Sequence, residues 1–61
     1  MRELQLAISE LSLSGSISLG NCSLRTLQRW CKDINTILES GKYEWRVCVD
    51  KDNMCIKVKE N

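Results

Sequence analysis

The chain lacks the residue types that most often carry catalysis. It contains no histidine, no proline and no phenylalanine, and three glycines among its 61 residues. Histidine is the most frequent general base and a frequent metal ligand, so its absence removes the simplest acid–base and metal chemistry. No apolar run approaches the roughly 18 residues of a membrane-spanning helix. The composition therefore predicts neither an enzyme nor a membrane protein.

The net charge of the chain is small, and one segment carries no charged residue at all. Nine basic and eight acidic residues leave a formal net charge of +1, which predicts no strong attraction to anionic membranes or bulk nucleic acid. No charged residue occurs from Leu11 to Leu24. The N-terminus has no signal-peptide core, which favours a cytoplasmic protein. We expect one small domain over residues 1–61.

Cysteine, in contrast, is plentiful. Cys22, Cys31, Cys48 and Cys55 are separated by 8, 16 and 6 residues. Zinc ligands usually come in pairs with two to four residues between them, and no other cofactor motif is present. The spacing therefore predicts no metal and no cofactor, and it favours reduced cysteines that pack as small apolar side chains.

The clearest element is an amphipathic helix over about residues 23–40. Apolar residues recur there at steps of three and four positions, which is helical periodicity. Ser23 is a suitable N-cap, and Gly41 is expected to adopt the left-handed conformation after the last turn. The apolar positions are Leu24, Leu27, Cys31, Ile34 and Leu38.

A β-hairpin is predicted after this helix. Apolar and polar residues alternate over 43–49 and again over 54–58, and residues 50–53 form a turn in which Asn53 suits a left-handed position. A four-residue loop pairs Val47 with Ile56 and puts every apolar side chain on one face.

The same register has consequences for the other face of the hairpin. It places Cys48 directly opposite Cys55, so a redox-responsive pair is one hypothesis. It also gathers Arg46, Lys57 and Lys59 on that face.

The N-terminal third reads less clearly. Alternation over residues 4–13 and 16–20 predicts a long first strand, bent near Ser9 and Glu10, that forms a hairpin with a second strand through Ser14-Gly15-Ser16. A short helix over 3–10 is the alternative. The resulting fold class is α+β, with one amphipathic helix packed on one face of an antiparallel sheet in the order β-β-α-β-β.

The uncharged segment suggests an interaction surface. Exposed strands usually carry charge that blocks unwanted pairing, whereas here one strand face is expected to carry only serines. We therefore expect it to be covered by a second copy of the chain or by another protein that adds a strand. The partner-binding candidates are Ser12, Ser14, Ser16, Ser18 and Trp30.

The sequence thus predicts a small non-catalytic protein-interaction module that forms a homodimer through this surface, of the inhibitor or adaptor kind found in phages and mobile elements. The alternative is a small nucleic-acid-binding regulator. In that case Arg25, Arg29 and Lys32 would contact phosphates, because their spacing aligns them on the polar face of the helix.

Overall fold

A computed structural model describes residues 2–20 and 22–59. Its elements are α1 (Arg2–Ser14), β1 (Ser16–Ser18), α2 (Leu24–Ser40), β2 (Arg46–Asp50) and β3 (Cys55–Lys59). The strands form one antiparallel sheet in the order β1-β3-β2, and the buried residues of both helices share one core with one face of this sheet. The fold is α+β, but the predicted β-β-α-β-β order with one helix is wrong.

The largest correction concerns the first strand, because residues 2–14 form α1. The alternative of a helix over 3–10 is right in kind, although α1 is longer. Strands favour β-branched residues, and Ile8 is the only one in this segment, whereas leucine, alanine and glutamate favour helices. The positions that α1 buries follow helical spacing: Leu4, Ala7, Ile8 and Leu11.

Gly15 ends α1 and connects it to the sheet. Its φ of 86° is in the left-handed region that glycine adopts without a steric penalty. Its N–H donates to the Leu11 carbonyl at 2.9 Å, and its own carbonyl accepts from the Val58 N–H at 2.8 Å. The predicted hairpin through residues 14–16 is therefore absent, and β1 pairs with β3, with Ile17 opposite Ile56.

The predicted N-terminal end of the second helix is confirmed. α2 begins at Leu24, and the Ser23 hydroxyl accepts the Thr26 N–H at 3.2 Å. This bond satisfies one of the amide groups that have no partner within the first turn.

The C-terminal end of α2 differs from the prediction in one residue. Gly41 has a φ of −84°, and Lys42 is the left-handed residue, with a φ of 61°. The Lys42 and Tyr43 N–H groups bond back into the last turn of α2 at 3.1 and 2.9 Å, which is the Schellman arrangement. A Cβ at position 41 would lie 2.7 Å from the ring of the exposed Tyr43, so a larger residue there requires this ring to move.

The hairpin has the predicted faces but not the predicted register. Val47 lies opposite Val58 and Val49 lies opposite Ile56, so the pairing is displaced by two residues. A displacement of two keeps every side chain on its face, and Val47 and Ile56 are buried as expected. Cys48 now lies opposite Lys57, so the expected pairing of Cys48 with Cys55 is wrong.

The turn chemistry accounts for the displaced register. The Asp50 carboxylate accepts the Asp52 and Asn53 N–H groups at 3.0 and 3.3 Å and the Asn53 side chain at 2.9 Å. These bonds lower the pKa of Asp50, and the bond from the Asn53 side chain has the largest effect. Asp50 therefore closes β2 as its last residue, and Met54, rather than Asn53, takes the left-handed position with a φ of 51°.

One core joins all five elements. Leu27, Ile34, Leu38 and Ile56 are fully buried. Trp45, which the hairpin pattern places in the core, is half-buried against it, and its ring meets the Tyr43 ring edge-on at 5.9 Å between centroids.

A pair of leucine substitutions tests the helical state of α1. Leu11 is 1% exposed and Leu13 is 88% exposed, whereas a strand would place both on one face. Leu11→Ala should lower the free energy of unfolding by about 2–5 kcal/mol, and Leu13→Ala should change it by less than about 0.5 kcal/mol. Urea unfolding followed by tryptophan fluorescence measures both. Equal losses would contradict the helix.

Candidate functional site

The serines expected on one strand face lie on two different elements. Ser12 and Ser14 are on the exposed side of α1, and Ser16 and Ser18 are on β1. All four are exposed. The expected continuous surface is therefore absent, and its strand part is reduced to two residues.

These two residues lie on a free edge of the sheet. The Gly15 carbonyl accepts the Val58 N–H, and hydrogen-bonded pairs alternate with non-bonded pairs in an antiparallel ladder. Ile17 and Ile56 are then the next bonded pair. The backbone groups of Ser16 and Ser18 consequently point away from β3. Within residues 2–20 and 22–59, no other segment pairs with this edge.

An apolar pocket borders the same strand. It has a volume of about 230 Å³, and its wall includes Leu6 of α1, Ile17 and Leu19 beside β1, and Trp30 of α2. Leu6 is 56% exposed, and Leu19 and Trp30 are half-buried. Glu10 is the charged residue of the wall. The structure thus brings Trp30, a predicted partner-binding residue, next to Ser18.

The opposite edge of the sheet is covered at Val47 by a side chain. Asn35 of α2 accepts the Val47 N–H at 2.8 Å and donates to the Val47 carbonyl at 3.1 Å. Its amide thus makes the two bonds that a neighbouring strand would make. We call this contact the Asn35 clasp. The sequence pattern placed Asn35 on the polar face of α2, and nothing in it indicated a bond to a strand.

Cys31 supports the same contact. Its thiol donates to the Val47 carbonyl at 3.3 Å. Burial, and then the proximity of Cys48, raise the pKa of the Cys31 thiol, so the thiol form that donates is favoured. All four cysteines are free and half-buried. In the part of the chain that the structure describes, no three potential ligands are grouped closely enough to hold a metal ion.

The three basic residues of α2 that were predicted to contact phosphates border two different surfaces. Arg25 and Arg29 are exposed and border a shallow depression that also includes Trp30 and Asp33. Lys32 instead faces a groove of about 550 Å³ between α2 and β2.

Two strand cations also line this groove. They are Arg46 of β2 and Lys59 of β3, which lie directly opposite each other in the ladder. Sequence reasoning placed them on the outer face of the hairpin and did not connect them with Lys32, because 27 positions separate Lys32 from Lys59.

Comparisons with known proteins found no match to this chain. Neither a family model, nor a curated protein, nor a solved structure matches this chain. Among the described residues, no helix has the length and apolar character needed to cross a membrane.

Removing the Asn35 clasp should destabilise the fold. Asn35→Ala leaves the Val47 N–H without its partner and leaves the Val47 carbonyl with the Cys31 thiol as its donor, at a cost of about 1–3 kcal/mol. Thr36→Ala is the matched control, because the Thr36 hydroxyl bonds only the Lys32 carbonyl of its own helix. That control should change the free energy of unfolding by less than about 0.5 kcal/mol. Urea titrations that give similar losses for the two variants would show that the clasp contributes nothing.

Proposed function

We propose that this chain is a non-catalytic protein-interaction module that forms a homodimer through the free edge of β1. The observation that carries the proposal is the outward direction of the Ser16 and Ser18 backbone groups on an exposed edge without charge. Two such edges joined antiparallel would extend the three-stranded sheet to one of six strands.

The arrangement of backbone groups along this edge suits pairing with the same edge of a second copy. A two-fold axis through Ile17 sets Ser16 of one copy opposite Ser18 of the other, so the outward donors and acceptors of both residues meet. Ile17 then faces its own copy as the non-bonded pair between them. No shift of register is needed to satisfy these groups.

The missing charge favours a second copy over an unrelated partner. Ile17 meets its own copy on the two-fold axis, and a charge at a neighbouring position would lie close to the same charge of the other copy. The segment from Leu11 to Leu24 has no charged residue and therefore avoids this repulsion. Natural edge strands usually carry charge that prevents such pairing.

Three ladder residues are too few to hold a dimer alone, since stable interfaces bury about 800 Å² per partner. The pocket beside β1 supplies apolar area, with Leu6, Leu19 and Trp30 in its wall. Tryptophan is enriched among the residues that dominate binding energy. An inhibitor or adaptor role would use the same edge by adding a strand to the sheet of another protein.

A charge on the β1 edge should weaken the dimer. Ser18→Lys is expected to raise the dimer dissociation constant at least tenfold, or about 1.4 kcal/mol, as measured by sedimentation equilibrium. Ser12→Lys, which adds the same charge on α1, should leave it unchanged. Ser18→Pro is a second variant that removes the outward N–H without adding charge. A monomeric wild-type chain at high concentration would refute the proposal.

The apolar pocket can be tested separately on α1. Leu6→Glu puts a charge in the pocket wall and should weaken the dimer at least tenfold, about 1.4 kcal/mol. Leu13→Glu is the matched control, because Leu13 borders a different depression beside Tyr43 and Trp45. Both side chains are exposed, so both variants should remain folded. Equal effects of the two on the dissociation constant would exclude this pocket from the interface.

A further inference from the structure

The groove between α2 and β2 brings together cations from three elements. Lys32 comes from α2, Arg46 from β2 and Lys59 from β3. Gln28 adds a neutral polar group to the wall, and Glu39 is the acidic residue in it. A chain with a net charge of +1 thus collects three positive charges around one open depression.

Two of these positive charges lie opposite each other in the sheet, which destabilises the fold. Arg46 and Lys59 are directly paired across the ladder, and like charges at that position destabilise a sheet. Across residues 4–20 and 22–59, the one ion pair is between Lys57 and Asp50, at 4.0 Å. Glu39 lines the same groove, but no carboxylate among residues 4–20 and 22–59 lies within ion-pair distance of Arg46 or Lys59. A bound anion would offset the repulsion between these two cations.

The Arg46 side chain is held in place before any ligand arrives. Its Nη1 donates to the Tyr43 and Trp45 carbonyls at 2.7 and 2.8 Å. The remaining N–H groups of the guanidinium are available to a further acceptor, and phosphate oxygens match their geometry.

The cations of α2 are spread along the helix and continue beyond the groove. Arg25 and Arg29 are exposed on the preceding turns of α2, and the helix rises about 10 Å from Arg25 to Lys32. A series of separated charges fits a chain of phosphates better than it fits a single phosphate.

From these observations we propose that the groove between α2 and β2 binds the phosphate backbone of a nucleic acid. Lys32, Arg46 and Lys59 form the centre of the site, and Arg25 and Arg29 extend it along α2. Contacts of this kind position a nucleic acid without reading its bases. The site lies on different residues from the β1 edge, so either proposal can fail without the other.

The test is fluorescence anisotropy of the full chain with a labelled DNA duplex and a labelled single strand. At low salt at least one of them should bind, and its affinity should fall steeply between about 50 and 200 mM salt. Lys32→Gln/Lys59→Gln should weaken binding at least tenfold and reduce the slope of log affinity against log salt by about 2.

A control with the same loss of charge makes the result specific. Lys42→Gln/Lys51→Gln removes two exposed cations that do not line the groove, and it should change the affinity less than about threefold, because exposed distant charges are screened. Equal effects of the two double variants, or no binding of either DNA at low salt, would overturn the proposal. Displacement of the DNA by polyglutamate of equal total charge would also overturn the proposal, because the groove would then favour acidic polypeptides.

A second readout needs no ligand. Lys59→Gln removes one member of the opposed Arg46–Lys59 pair and should raise the melting temperature of the free protein by about 2 °C. The same measurement shows that the variant is folded. A lowered melting temperature would show that no repulsion exists at this pair and would remove the premise of the proposal.

Discussion

The Asn35 clasp ties α2 to the edge strand β2 and so gives the two edges of the sheet different surroundings. One amide bonds both backbone groups of Val47, in addition to the core contacts that α2 makes with the sheet. The clasp covers part of one sheet edge, and Asn35 and Val47 line the groove beside it. Because β3 is the central strand, the edge of β1 is the other end of the sheet, and no segment within residues 2–20 and 22–59 pairs with it.

The two edges therefore present different chemistry. The β1 edge is uncharged and bordered by apolar side chains, which favours contact with another protein surface. The β2 edge is flanked by Lys32, Arg46 and Lys59, which favours contact with an anion. A low net charge concealed this separation, because acidic and basic residues cancel in the total while occupying different places.

How far sequence reasoning reached depended on how local each decision was. α2 was predicted within one residue at its start, since its periodicity and its Ser23 cap are encoded by neighbouring residues. For α1, a helix over 3–10 was predicted only as the alternative to a strand, because leucine and serine at alternating positions satisfy a strand and a helix pattern together. The shortage of β-branched residues between 2 and 14 was the signal that would have decided for the helix.

The sequence by itself determined which side chains of α2, β2 and β3 face the core, because that choice depends on spacing along one element. Only the tertiary structure decided the hairpin register, the strand order and the partners of each edge. The register followed from the bonds of Asp50 within its turn, and the groove from residues of α2 and β3 that are distant in the chain. These outcomes depend on hydrogen bonds within the turn and on contacts between elements, and periodicity within one element carries no information about either.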